Sequence, residues 1–157
     1  NSPDPGRHET EEERADRRWG EQLQEVRIAQ TGAQIMLGFL LTVAFTPRFA
    51  TVDGFERGLY AAVVTLGAVA VGALIAPVSF HRLLAGRHVK PRMVRAVEQL
   101  IGFGLAVLAL NVAAALLLLL RVAGLGWAAW AIAGGVLLWF GVCWVVLPLA
   151  VLRRPRR

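Results

Sequence analysis

Gln24, Arg27, Thr31, Gln34, Gly38 and Thr42 recur at steps of three or four. With Gln30, they bring amides, hydroxyls and a guanidinium into a stretch otherwise made of Ile, Leu, Ala, Met and Phe. These groups donate and accept hydrogen bonds, and none is a carboxylate. They suit the partial replacement of an ion's hydration shell or the bonding of one helix to another, and not acid–base catalysis. A further amide, Asn111, stands alone in the run "LALNVAAALLLLL". Titratable groups gather instead in "VSFHRLLAGRHVKPRMVRAVEQ", where His81, Arg95 and Glu98 are candidates for a pH-sensitive mouth. The plainer expectation there is an interfacial histidine beside a surface ion pair between Arg95 and Glu98, three residues apart on a helix.

What such groups do depends on whether they meet water, protein or lipid, and the surrounding elements decide that. Of 157 residues 56% are hydrophobic and 18% charged, too apolar for a soluble domain of this length. Four apolar blocks, about 28–46, 58–80, 97–120 and 127–152, are separated by the charged stretches. Each is near the roughly 20 residues that a helix needs to cross the hydrocarbon core. Strands of an outer-membrane barrel would alternate apolar and polar residues, which "AAALLLLL" does not. The expected fold is all-α, a bundle of four transmembrane helices with the first helix extended into the cytoplasm. Residues 1–9 read as a disordered N-terminus, 10–152 as one membrane domain with a cytoplasmic helix over 10–27, and 153–157 as a basic tail.

The basic residues set the expected orientation. Arg7, Arg14, Arg17, Arg18 and Arg27 precede the first span, and Arg82, Arg87, Lys90, Arg92 and Arg95 lie between the second and third. Arg153, Arg154, Arg156 and Arg157 follow the fourth, whereas the other two connections hold only Arg48, Arg57 and Arg121. By the positive-inside rule both termini and the middle loop are cytoplasmic, in a multi-pass protein of the bacterial inner (cell) membrane. The net charge of +6 then reflects span flanks and anionic lipid headgroups. No aromatic residues interleave with the charges as a nucleic-acid stacking platform requires, so nucleic acid is not an expected partner. Nor does the N-terminus hold a short apolar core before Trp19, and the first span is expected to remain in place.

Thr10 and Glu13 have capping-box spacing, and no proline follows until Pro47, so one helix is expected from about Thr10 to Thr46. Trp19, Leu23, Val26, Gln30, Ala33, Leu37, Leu40 and Ala44 form a heptad seam along it. The seam either meets helices of the same subunit or is a subunit interface in which Gln30 sets register. The polar row occupies another face, and an unpaired amide facing lipid costs several kcal/mol. It therefore bonds to neighbouring helices, lines a water-filled path, or receives a helix from a partner.

Elsewhere, "VDGFE" reads as a turn on Asp53 and Gly54, and Pro77 as a kink near the end of the second span. Asn111 is expected to face the bundle interior and bond to the first helix. Trp127 and Trp130 fit an interfacial aromatic belt, and Gly134 and Gly135 mark a close contact or a flexible point. The lone Cys143 reads as a small packing residue.

"ERADRRWGEQLQEVRIAQTGAQIMLGFLLTVAFTPRF" followed by "LIAPVSFHRLLAGRHVK" resembles a family of small actinobacterial integral membrane proteins described only as a domain of unknown function. The resemblance extends from about Glu11 into the fourth span and carries no catalytic or binding residue with it. Some relatives bear a sodium/proton antiporter label. These spans lack the mid-membrane carboxylates that such chemistry uses.

No paired carboxylates, Ser/His/Asp set, metal-ligand spacing or glycine-rich phosphate loop is visible, so neither an enzyme nor a cofactor or metal site is expected. The expected function is an oligomeric membrane channel or transport protein for small ions. Its candidate intramembrane polar residues are Gln30, Thr31, Gln34, Thr42 and Asn111, and the neutral lining would be weakly selective or cation-tolerant. The alternative is a non-transporting assembly or regulatory subunit that binds another membrane protein through its long helix and basic loop.

Overall fold

A computed structural model describes residues 11–84 and 90–152, with side-chain environments for Arg17, Gln24, 26–79 and 96–150. The chain is all-α: α1 (Glu11–Val43), a 3-10 turn (Pro47–Thr51), α2 (Gly54–Leu84), α3 (Lys90–Val122) and α4 (Trp127–Gly141). A π-helical turn (Val142–Val146) then leads into α5 (Leu147–Leu152). Four segments are long and apolar enough to cross a membrane: Val26–Val43, Gly54–Ser79, Ala96–Val122 and Trp127–Ala150. At 1.5 Å per residue the 33-residue α1 is about 50 Å long, and its first half, before Val26, runs beyond the apolar span.

The helix ends follow from local chemistry. Pro47 has no N–H to give the carbonyl of Val43, so Thr46 serves that carbonyl with both its N–H (3.1 Å) and its hydroxyl (2.7 Å), and α1 stops there. The segment expected to turn on Asp53 and Gly54 instead starts α2. Asp53 Oδ1 accepts the Glu56 N–H at 2.7 Å, and Glu56 Oε2 accepts the Asp53 N–H at 3.2 Å, a reciprocal capping box. α3 closes with a Schellman motif, in which the N–H of Leu125 reaches the Leu120 carbonyl and that of Gly124 the Arg121 carbonyl. Gly124 (φ +85°) and Gly126 (φ +56°) permit so short a connection into α4, since a side chain disfavours both conformations. The π turn precedes Pro148, which cannot donate to the carbonyl of Trp144. The ladder widens instead, with Leu147 N–H bonding to Val142. α2 continues through Pro77, which is buried.

α2 and α3 form the central packed pair, with α1 resting mainly against α2 and α4 against α3. Their contact is close because its residues are small. Ala70, Ala73, Ala109 and Ala113 are buried, and a Cβ on Gly104 would lie 3.0–3.2 Å from atoms of Leu74 and Ala73. The seam of α1 packs within the subunit: Val26, Ala33 and Leu74 form one core cluster, joined by Val71, Ile101, Leu105 and Leu108, and Leu40 is also buried. A second cluster, Leu117 with Ala129 and Ala133 and flanked by Leu59 and Leu120, attaches α4. Ile28, Phe39, Leu119, Leu138 and Trp139 are more than half exposed, as residues facing lipid rather than water are expected to be.

The expected capping box at Thr10, the disordered segment 1–9, the tail 153–157 and the seam residues Trp19 and Leu23 lie outside the described residues or side chains.

Candidate functional site

The polar residues of the spans divide between two faces. On α1, Gln24, Arg27, Thr31, Gln34, Gly38 and Thr42 are all exposed. At 100° per residue they lie on the side of the helix turned away from Val26, Ala33 and Leu40. Gln30, which belongs to the seam, is half-buried between the two sides. Near one end of the row Gln24, Arg27, Ile28 and Thr31 line a shallow open crevice.

The hydroxyls of this row are satisfied locally. Thr31 donates to the carbonyl of Arg27 at 2.8 Å and Thr42 to that of Phe39 at 2.7 Å, so neither needs an outside partner to sit in an apolar medium. A glutamine side chain reaches no such carbonyl of its own turn here: Gln34 makes no hydrogen bond among the described residues. Among the described residues the row makes no hydrogen bond to a neighbouring helix. Ile28, Ile35 and Phe39, 57–73% exposed, flank the row.

Asn111 takes the opposite position. Its residue is fully buried, and neither Oδ1 nor Nδ2 finds a hydrogen-bond partner among the described residues. It lies where α1, α2 and α3 converge: a Cβ on Gly67 would be 3.1 Å from Asn111 Nδ2 and 3.2 Å from Leu37 Cδ1. Its expected location in the bundle interior is met. The expected bond to the first helix is absent among the described residues, because the α1 residue beside the Gly67 junction is Leu37, and Gln30, on the same side of α1, stands about two turns away. Asn111 and the α1 row are thus not one site.

At the end of the bundle where α2 stops and α3 starts, Glu98 is exposed. The side chains of His81 and Arg95 lie outside those described, and with them the question of a titratable mouth. Gly134 and Gly135, read as a close contact or a flexible point, are exposed and make no close contact among the described residues. Cys143 is a half-buried free thiol in the π turn. Among the described residues no three His, Cys, Asp or Glu side chains come together as a metal site would need.

At the opposite end lies a polar cluster that sequence reasoning missed. Arg121 Nη2 stands 3.6 Å from Asp53 Oδ2, and its Cζ is 5.3 Å from the centroid of the Phe55 ring, which itself packs against Trp130 at 5.9 Å. Arg48 donates to the carbonyl of Val122 at 3.1 Å, meeting one of the orphan carbonyls at the end of α3. Asp53-x-x-Glu56 ahead of an apolar run was the available signal for the cap. Nothing local could have paired Arg48 or Arg121 with residues so far away in the chain. The two ties join the α1–α2 connection to the end of α3.

Beneath them is a half-open apolar cavity of about 420 Å³, walled by α1 and α3 and bordered at one end by the 3-10 turn. Its lining includes Met36, Leu40, Tyr60, Val112, Ala115 and Leu116. Tyr60 donates its hydroxyl to the Leu40 carbonyl at 2.9 Å and meets Phe49 edge-on at 4.8 Å, which holds the turn over the cavity.

Comparison with curated proteins and with solved structures gives no match. A family model does match, over residues 8–148, which takes in all of α1 to α4 together with the features described above. The chain belongs to that family, a family of unknown function (DUF6328).

Proposed function

We propose that the protein acts as an oligomeric membrane channel for small ions, in which copies of α1 surround a shared axis and present Thr31, Gln34 and Thr42 to it. The observation that carries this reading is the exposure of Gln34 outside the packed seam, with no hydrogen bond among the described residues. An amide in that position faces hydrocarbon at a cost of several kcal/mol unless water or a second subunit meets it. A ring of α1 helices supplies both. The seam stays engaged with α2 and α3 while the polar row turns inward.

The lining so formed is neutral along most of its length. Arg27 is its one charge with a described environment and is exposed on the same face, so it biases the path toward anions at that end. Positive-inside counting puts this end on the cytoplasmic side of the cell membrane, together with both termini.

The test is flux through the purified full chain in proteoliposomes, under separate potassium, sodium, chloride and proton gradients. Channel function predicts flux that Gln34→Leu alters and an ion preference that Arg27→Gln shifts away from chloride. Folded protein that passes none of these ions sinks the proposal.

A second reading rests on a different observation. The apolar flanks Ile28, Ile35 and Phe39 beside the row make a face able to seat a helix of another membrane protein, as an assembly or regulatory subunit would. Here Gln34→Leu disrupts co-purification with that partner and leaves ion flux at background.

A further inference from the structure

We propose that the cavity between α1 and α3 binds one acyl chain of an anionic phospholipid, with Arg48 at its mouth as the headgroup contact. This rests on features separate from the α1 row and holds whether or not the protein conducts ions.

The cavity exists because α1 packs against α2 and barely touches α3. The wedge left between them runs along the last turns of the apolar spans Val26–Val43 and Ala96–Val122. At about 420 Å³ it falls within the ordinary range of ligand pockets. Its deeper walls, Met36, Leu40, Val112, Ala115 and Leu116, offer no polar side chain. A void of that lining does not hold ordered water, which needs polar partners, whereas a hydrocarbon chain fits it chemically.

The mouth selects the headgroup. Four polar residues stand there: Thr46, Arg48, Glu56 and Tyr60. Three are turned to internal tasks. The Thr46 hydroxyl donates to Val43, the Tyr60 hydroxyl donates to Leu40, and the Glu56 carboxylate accepts the Asp53 N–H at the start of α2. Arg48 is exposed and spends an Nη2 donor on the Val122 carbonyl, while the planar guanidinium carries further donors. A guanidinium with donors to spare at the edge of the hydrocarbon matches a lipid phosphate. The Glu56 carboxylate keeps its charge in the helix cap, but Arg48, Arg57 and Arg121 outnumber Asp53 and Glu56 in the two connections at this end. The charge at the mouth therefore favours an anionic lipid.

The experiment uses the full chain reconstituted from vesicles of equal phosphatidylcholine and phosphatidylglycerol, extracted in mild detergent and weighed by native mass spectrometry. Wild type should retain a single phosphatidylglycerol per chain. Ala115→Trp, which fills the cavity, should lower retention by about tenfold or more. Val112→Phe, a smaller intrusion, should lower it as well and serves where the tryptophan variant does not fold. Arg48→Gln should keep a bound lipid and lose the preference for phosphatidylglycerol. Retention unchanged by both cavity-filling variants, or equal retention of the two lipids by wild type, overturns the proposal.

Discussion

Asn111 on α3 and Gln34 on α1 carry the same functional group, and the fold treats them in opposite ways. Asn111 is sealed among α1, α2 and α3 with no hydrogen-bond partner among the described residues, while Gln34 stands fully outside the packed face of α1. Their surroundings differ in one physical respect, whether another helix of the chain lies against them. The interior is built from glycines and alanines that bring backbones together, so Asn111 is enclosed by default, its amide next to Gly67. The outward side of α1 has no neighbour, and Gly38 on it has nothing within 4 Å of its Cβ position. Small residues therefore mean tight packing on one side of the molecule, and on the other an open stripe with no neighbour among the described residues.

Substitution can break that contrast, and the largest effect should come from the middle of the interior. Leu74 is fully buried in the cluster shared with α1, and Leu74→Ala should lower stability by about 2–5 kcal/mol in chemical or thermal unfolding of the detergent-solubilised protein. A loss below that range would mean that the α1–α2–α3 junction is looser than described.

Adding a methyl group separates the two kinds of glycine. Gly104→Ala forces a Cβ to within 3.0–3.2 Å of Leu74 and Ala73 and should cost about 1–3 kcal/mol. Gly38→Ala meets nothing and should gain up to about 1 kcal/mol from helix propensity. If Gly38→Ala is instead destabilising, and more so as protein concentration rises in the membrane, the stripe is already covered by a second copy.

The two amides are distinguished by replacement with a residue of similar size. Asn111→Leu removes a buried polar group that lacks a protein partner and should stabilise the fold by about 1 kcal/mol. Destabilisation would reveal that the amide bonds to something its own chain does not supply. Gln34→Leu, on the open side, should leave the stability of the single subunit within about 0.5 kcal/mol, with its consequence confined to ion flux or partner binding. These are the smallest expected stability changes, and they bear most directly on function.

Several features were readable one residue at a time. The four apolar helices follow from block length, and the packed seam of α1 from its alternating steps of four and three, because both depend on contacts a helix makes through its own periodicity. The α2 cap at Asp53 and Glu56 was equally local, though its residues resemble a turn. The bond expected between Asn111 and α1 was an inference about a partner on another helix, and it did not form.

Sequence alone determined that this is an all-α protein with four helices able to span a membrane, a first helix longer than its span, and family membership that runs almost from end to end. Apolar length and helical period are properties of a segment, so no knowledge of its neighbours was needed. Tertiary structure alone decided that the polar row of α1 faces outward, that Asn111 is enclosed without α1 amides beside it, and that a cavity opens between α1 and α3 under Arg48. Each of these depends on which helix lies against which and at what distance. That is settled by the fit of Gly67, Gly104 and the interior alanines against residues far away in the chain.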